Sequence, residues 1–400
     1  MILANTYHHK NEGDIVRGTY ASLSVVSTAT NYIMEQDNVM TRTYRTYIKP
    51  RESGQLELRF WHSNSVDSTW DVGSVAKGSM PGGAWRIEAA YAADGGTGRN
   101  GQVVPGTSVQ VMFDGNPGKV VAPDETFWSD PLQIELPKGH DLAFTWTITT
   151  LSSGKTVPYN TEGLLVTAYE AEGNKADDEF GAAFVPAVSR LVMPAFAGYA
   201  RTVKQRMIFL GDSITQGVRT AKDGYQYWVS RIADGLGQDY SVWNIGSGWA
   251  RAYDASADGP WLAKAAEGDI VAIALGVNDI DIGARSSREL LDDLSSIVRR
   301  LKQREDGTKA RIILFTVPPF NFMGDREAVW RTVNESIRTR PPEGVDAVFD
   351  IADILSRPAP EEHRIEPKYM SSSDDPHPNG LAGAVIAEAF LKWFEAQPKN

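Results

Sequence analysis

The spacing of apolar residues along the chain changes near its midpoint. Before about residue 195, bulky and polar residues tend to alternate, as in Leu56-Glu57-Leu58-Arg59-Phe60 and Phe144-Thr145-Trp146-Thr147-Ile148-Thr149. Alternation at period two places one face of a strand in a core and the other against polar surroundings. It predicts strands over Thr41–Lys49, Gln55–Ser63, Ser108–Phe113, Asp141–Thr149 and Leu164–Glu170. Gly and Pro clusters such as Met80-Pro81-Gly82-Gly83 and Gly115-Asn116-Pro117-Gly118 separate these runs. Strands joined by such turns predict an all-β sandwich, jelly-roll-like, over residues 1–195.

From Met207 onward, short apolar runs alternate with helical stripes. The runs predict strands at Met207–Leu210, Ser241–Ile245, Ile270–Leu275, Arg311–Val317 and Ala347–Asp350. Helices are expected near Gln226–Leu236, Ser287–Arg304, Asp325–Arg338 and Leu381–Glu395. In the second of these, Leu290, Leu291, Leu294, Ile297, Val298 and Leu301 form one apolar face. Nearly continuous apolar strands between helices predict a parallel sheet covered on both faces, a three-layer α/β domain over residues 196–400. The polar stretch from Gly173 to Glu179 reads as an exposed loop ahead of that change.

Composition narrows the partners. The net charge of -11 over 400 residues argues against nucleic acid or an anionic membrane surface. No cysteine is present, which excludes disulfides, thiolate nucleophiles and cysteine-held metals. No run of about 18 apolar residues occurs, so no membrane span is expected. Met1-Ile2-Leu3 leads directly into polar residues, with no signal-peptide core, so a cytoplasmic location is expected, or a secreted one if the chain has been trimmed. His8 and His9 are adjacent but lack further ligand spacing, so no metal is expected, and no cofactor. Trp61, Trp70, Trp85, Trp128 and Trp146 are expected to pack the sandwich rather than to form a sugar platform. The sequence leaves a homo-oligomer open.

Residues able to do chemistry gather at the ends of the predicted parallel strands. Met207-Ile208-Phe209-Leu210 runs into Gly211-Asp212-Ser213, which sets a hydroxyl at the carboxyl edge of a strand. Asn244-Ile245-Gly246-Ser247-Gly248 closes the next strand, and Gly276-Val277-Asn278-Asp279 the one after. Near the C-terminus, Asp374-Asp375-Pro376-His377-Pro378 forms a rigid polar loop, and Asn379 reads as the N-cap of the last helix. A serine needs a base to become a nucleophile. His377 can supply it, and Asp374, three residues earlier, can orient the imidazole. The N–H groups of Ser213 and Gly246 and the Asn278 amide are candidate donors to an oxyanion.

Together these blocks resemble the SGNH hydrolases, also called the GDSL esterase/lipase family. Gly211-Asp212-Ser213-Ile214 matches the first block, with Ile where the family name has Leu. The likeness covers about residues 205 to 397. It implies Ser213 as nucleophile, His377 as base, Asp374 as orienter and the same three oxyanion donors. The β half is similar to the N-terminal sandwich of some two-domain carbohydrate esterases of this superfamily. Aromatic residues near the motif loops, among them Tyr225, Tyr227, Trp249, Tyr253, Trp261, Phe320 and Phe322, are mixed with Arg219, Lys222, Arg251 and Asp254. With no strongly apolar loop beside them, they favour an oligosaccharide or other small acylated substrate, with Asp212, Trp249, Tyr253 and Phe320 as contacts. The expectation is a carbohydrate O-acetyl esterase. The alternatives are a short-chain aryl or lipid ester hydrolase or thioesterase, and a carbohydrate-binding protein whose hydrolase half is inactive.

Overall fold

The computed structural model describes residues 20–68, 80–161, 165–304 and 307–398. His8, His9, Trp70 and the expected strand start at Leu164 lie outside these residues. Among the described residues, no helix is long and apolar enough to cross a membrane.

Two large antiparallel sheets, with two further two-stranded ones, build the described part of the first half. In the larger, Leu142–Thr150 is central, flanked by Thr41–Ile48 and Trp85–Asp94. In the smaller, Gly54–Ser63 is central and pairs with Phe196–Ala200, Thr126–Trp128 and Leu132–Leu136. The alternation seen in sequence sorts side chains onto the facing surfaces. Phe60 from one sheet meets Phe144 from the other, ring centroids 4.6 Å apart, and Trp146 follows at 5.4 Å from Phe144. Trp61, Trp85 and Trp146 are buried. The β domain retains the chain through Ala200, five residues beyond the expected boundary, because Phe196–Ala200 supplies a strand to the smaller sheet.

The second half contains a five-stranded parallel sheet: β1 (Gln205–Gly211), β2 (Tyr240–Asn244), β3 (Ile270–Ala274), β4 (Arg311–Phe315) and β5 (Ala347–Phe349). The spatial order is β2-β1-β3-β4-β5. The chain therefore reverses direction across the sheet between β1 and β3, and a crevice forms at their carboxyl ends. Period two divides β1 between two cores. Met207 and Phe209 face helices α2 (Trp228–Leu236) and α9 (Gly380–Glu395), whereas Ile208 and Leu210 face α6 (Ser287–Lys302) and α7 (Asp325–Thr339). In α6, Ser286 and Glu289 form a reciprocal capping box, worth about 1 kcal/mol. Its Leu290, Leu294, Ile297, Val298 and Leu301 are buried, at roughly 1.5–3 kcal/mol each.

The two halves share a junction along β2. Trp243 packs 5.0 Å from Phe196 and 6.4 Å from Trp61, measured between rings. The Ser22 N–H donates to Ser241 Oγ at 2.9 Å, and the Lys49 N–H donates to the Tyr225 hydroxyl at 2.7 Å.

Candidate active site

The nucleophile turn is built by close approach. At Gly211, a Cβ would fall 2.0 Å from Thr215 Oγ1 and 2.7 Å from the Ala274 carbonyl, so only glycine lets β1 turn at once into α1 (Ser213–Gln216). Asp212 caps that helix, its Oδ1 accepting the Ile214 N–H at 2.9 Å. Ser213 follows at the first helical position, directly after the carboxyl end of β1. Asp212 is buried and committed to this cap, which corrects its expected role as a substrate contact.

The opposing loop is fixed by its own backbone. The Ser371 N–H donates to the His377 carbonyl at 2.9 Å, and the Asn379 N–H donates to the Tyr369 carbonyl at 2.8 Å. Asn379 Oδ1 caps α9 by accepting from Leu381 and Ala382. This arrangement brings His377 Nε2 to 3.0 Å from Ser213 Oγ, across 164 positions of sequence. The Phe320 ring stands edge-on to the imidazole, 5.1 Å away.

The acid beside the histidine is Asp375. Its Oδ1 lies 2.6 Å from His377 Nδ1 and also accepts the His377 N–H at 3.0 Å. A carboxylate can only accept, so the ring proton belongs on Nδ1 and Nε2 is left to accept from Ser213. Asp374 is exposed, with its N–H turned back to Ser372 Oγ. This corrects the expected orienter. Adjacent residues in an extended loop point in different directions, and here it is Asp375 that is turned to the ring. The second Asp375 oxygen accepts from Arg219 Nε at 2.7 Å. Burial opposes the charge on Asp375, but the His377 N–H, Arg219 and the imidazole together hold its carboxyl down to about 2.

The donor loop after β2 departs from expectation at Gly246. Its N–H donates to Asn244 Oδ1 at 2.9 Å, while Asn244 Nδ2 donates to the Thr215 carbonyl at 3.0 Å. Gly246 is therefore engaged inside the loop and is not an oxyanion donor. Its lack of a Cβ serves packing, since a Cβ there would sit 2.3 Å from the Gln216 nitrogen. Two residues on, the Gly248 N–H makes no hydrogen bond among the described residues, and neither does the Ser213 N–H. Gly248 was passed over in the sequence, although the second glycine of Gly246-Ser247-Gly248 was a visible signal. Asn278 follows β3 in α5 (Val277–Asp281) and spends one amide hydrogen on the Ala250 carbonyl at 2.9 Å, leaving the second.

Several of the aromatic residues near the motif loops pack the interior. Tyr225, Tyr227, Trp261 and Phe322 are buried. The Tyr253 ring carries the guanidinium groups of Arg251 and Arg285 at 5.1 Å and 4.5 Å. Its N–H and that of Ala252 donate to Asp279, which ties the helix after the donor loop to the asparagine block. Burial pushes the Asp279 carboxyl up to about 7, against the two backbone N–H groups, and the Asp212 carboxyl likewise up to about 7. Trp249 is half-buried, with a left-handed φ of 65°.

Residues 209–383 match the family model described as GDSL-like Lipase/Acylhydrolase family. The GDSL-like lipase/acylhydrolase family-model domain thus spans residues 209–383, within the second half. The chain is also similar to several solved structures. A family two carbohydrate esterase from Cellvibrio japonicus matches at 13% identity, over 94% of this chain and 96% of its own, with a TM-score of 0.37. A carbohydrate esterase family 3 from Talaromyces cellulolyticus matches at 17% identity, over 48% of this chain and 97% of its own, with a TM-score of 0.36. The M. smegmatis aryl esterase matches at 16% identity, over 48% of this chain and 99% of its own, TM-score 0.35. No curated protein gave a match.

Proposed function

We propose that the protein is a serine esterase that removes a short acyl group, acetyl first among them, from a carbohydrate. The observation that supports hydrolysis is the unbroken chain Ser213 Oγ, His377 Nε2, His377 Nδ1, Asp375 Oδ1, with contacts of 3.0 Å and 2.6 Å. In this reading Ser213 Oγ attacks the acyl carbon and His377 Nε2 takes its proton. The N–H groups of Ser213 and Gly248 and the Asn278 amide receive the oxyanion. Collapse of the adduct breaks the ester bond, and His377 returns the proton to the departing alkoxide. Water then repeats the sequence on the acyl-serine, releasing the carboxylic acid and restoring Ser213.

Two features support a sugar as the alcohol. Phe320 packs against the His377 imidazole and is partly exposed, which places an aromatic ring beside the Ser213–His377 pair. Trp249 is held at a positive φ on the donor loop, a backbone strain that clusters at ligand sites.

Two experiments test this reading. A fluorophosphonate should add one mass adduct, mapped to Ser213 and lost in Ser213→Ala. Acetate release from acetylated xylose and xylo-oligosaccharides should then exceed hydrolysis of p-nitrophenyl esters of growing acyl length. No adduct on Ser213 rejects the esterase. Preference for long acyl chains keeps the esterase and rejects the sugar ester.

A further inference from the structure

Gly246, Ser247 and Gly248 of the donor loop are each held by a side chain of the β domain. Ser27 Oγ donates to the Gly246 carbonyl at 2.5 Å. Ser68 Oγ lies 2.8 Å from Ser247 Oγ. Asn31 Nδ2 donates to the Gly248 carbonyl at 3.2 Å. All three β-domain side chains are buried. Beneath them, Asp67 joins the two loops that carry these residues. Its Oδ2 accepts the Thr30 N–H at 2.9 Å, and both its oxygens meet Lys264 Nζ, at 2.6 Å and 2.7 Å. Lys264 belongs to the acylhydrolase domain, on α4 (Pro260–Ala266), and this ion pair is fully buried. A further bond runs from Gln216 Nε2, at the end of the nucleophile helix, to Asn160 Oδ1 of the β domain at 2.9 Å.

We infer that the β domain completes the oxyanion site, with Ser27, Asn31 and Ser68 as positioning residues for the Gly248 N–H. This rests on the esterase reading. A Gly-Ser-Gly segment has more backbone freedom than most, so its order must come from what surrounds it. The peptide that carries the Gly248 N–H lies between two carbonyls, Gly246 and Gly248, that β-domain side chains pin. Its own carbonyl, Ser247 O, is taken by the Ala250 N–H at 3.2 Å. An oxyanion donor works only within about 2.7–3.1 Å of where the charge develops. A loop released on its β-domain side loses that aim while the nucleophile and base stay in place. The interface thus acts on the transition state more than on substrate binding.

The test uses the full chain and p-nitrophenyl acetate, with rates normalised to the sites that a fluorophosphonate titrates. The triple variant Ser27→Ala, Asn31→Ala, Ser68→Ala should lose roughly 10- to 100-fold in kcat per titrated site, with KM within about threefold. Ser68→Ala alone should lose about threefold, and Ser68→Thr, which keeps the hydroxyl, should recover most of it. Wild-type kcat per titrated site in the triple variant overturns the proposal. If the triple variant does not fold, an unchanged kcat in Ser68→Ala overturns it equally. A wild-type chain that hydrolyses nothing and takes no label on Ser213 removes the esterase reading, and this proposal with it.

Discussion

Arg219 Nε lies 2.7 Å from Asp375 Oδ2, the carboxylate oxygen not used by His377. The pair links the segment after the nucleophile turn to the histidine loop, and Arg219 is held there with a φ of 71°. Its side chain is half exposed, so water screens the attraction and the pair is worth about 0–1 kcal/mol. Arg219→Ala should therefore lower kcat/KM by no more than about fivefold, mostly through kcat. Steady-state kinetics at low and high salt check this, because the wild-type advantage should shrink as salt rises. A loss of about a hundredfold would mean that Arg219 touches substrate.

The two adjacent acids should behave very differently. Asp375→Asn keeps the shape beside His377 but removes the acceptor that holds the proton on Nδ1. Changes of this kind cost about 10⁴-fold in kcat in serine hydrolases built on the same triad. Asp374→Asn changes an exposed side chain and should leave kcat within about twofold. Measuring kcat for both variants decides the matter, and reversed losses would restore Asp374 as the orienter.

The sequence revealed the parallel sheet because buried strands between helices must be apolar from end to end, and Ile270–Ala274 and Arg311–Phe315 nearly are. It also revealed where the serine and histidine blocks would sit, because strand ends and helix starts have residue signatures. The end of the first domain was blurred, since Phe196-Ala197-Gly198-Tyr199 is short and has no strong alternation. The acid was missed because spacing cannot say which of two neighbouring carboxylates an extended loop turns inward. Gly248 was missed because Gly246 comes first, and only coordinates show its N–H already bonded to Asn244. The β-domain contacts had no sequence signal at all. Ser27, Asn31 and Ser68 are ordinary loop residues until the fold carries them to the donor loop.

Asp212 gives a prediction about stability and pH. Burial pushes its carboxyl up to about 7; the Ile214 N–H opposes that rise and the Asp279 charge adds to it. In an unfolded chain an aspartate titrates near ~3.9. Between these values the folded state binds more protons than the unfolded one, so this group removes stability as pH climbs through that window. Above about 7 the loss is complete. Asp212→Asn keeps an oxygen for the Ile214 N–H and abolishes the titration. The Tm of the variant relative to wild type should therefore rise between about pH 4 and 7, by on the order of 2–5 °C. Parallel Tm curves for the two proteins would show that Asp212 stays ionised throughout.

Asn278 separates transition-state stabilisation from loop support. One amide hydrogen is spent on the Ala250 carbonyl at 2.9 Å, and the other is available to an oxyanion. The neighbouring Asp279 anchors the same region independently through the Ala252 and Tyr253 N–H groups. Asn278→Ala should thus leave the loop largely in place, with one lost hydrogen bond worth about 1 kcal/mol. Its kcat should nevertheless fall by roughly 10²- to 10³-fold with KM within about threefold, the effect of removing one preorganised donor. Kinetics and thermal melts on the same preparation give both numbers. A loss of rate that comes with a rise in KM and a large drop in Tm would assign Asn278 to loop support, and leave the oxyanion to the Ser213 and Gly248 N–H groups alone.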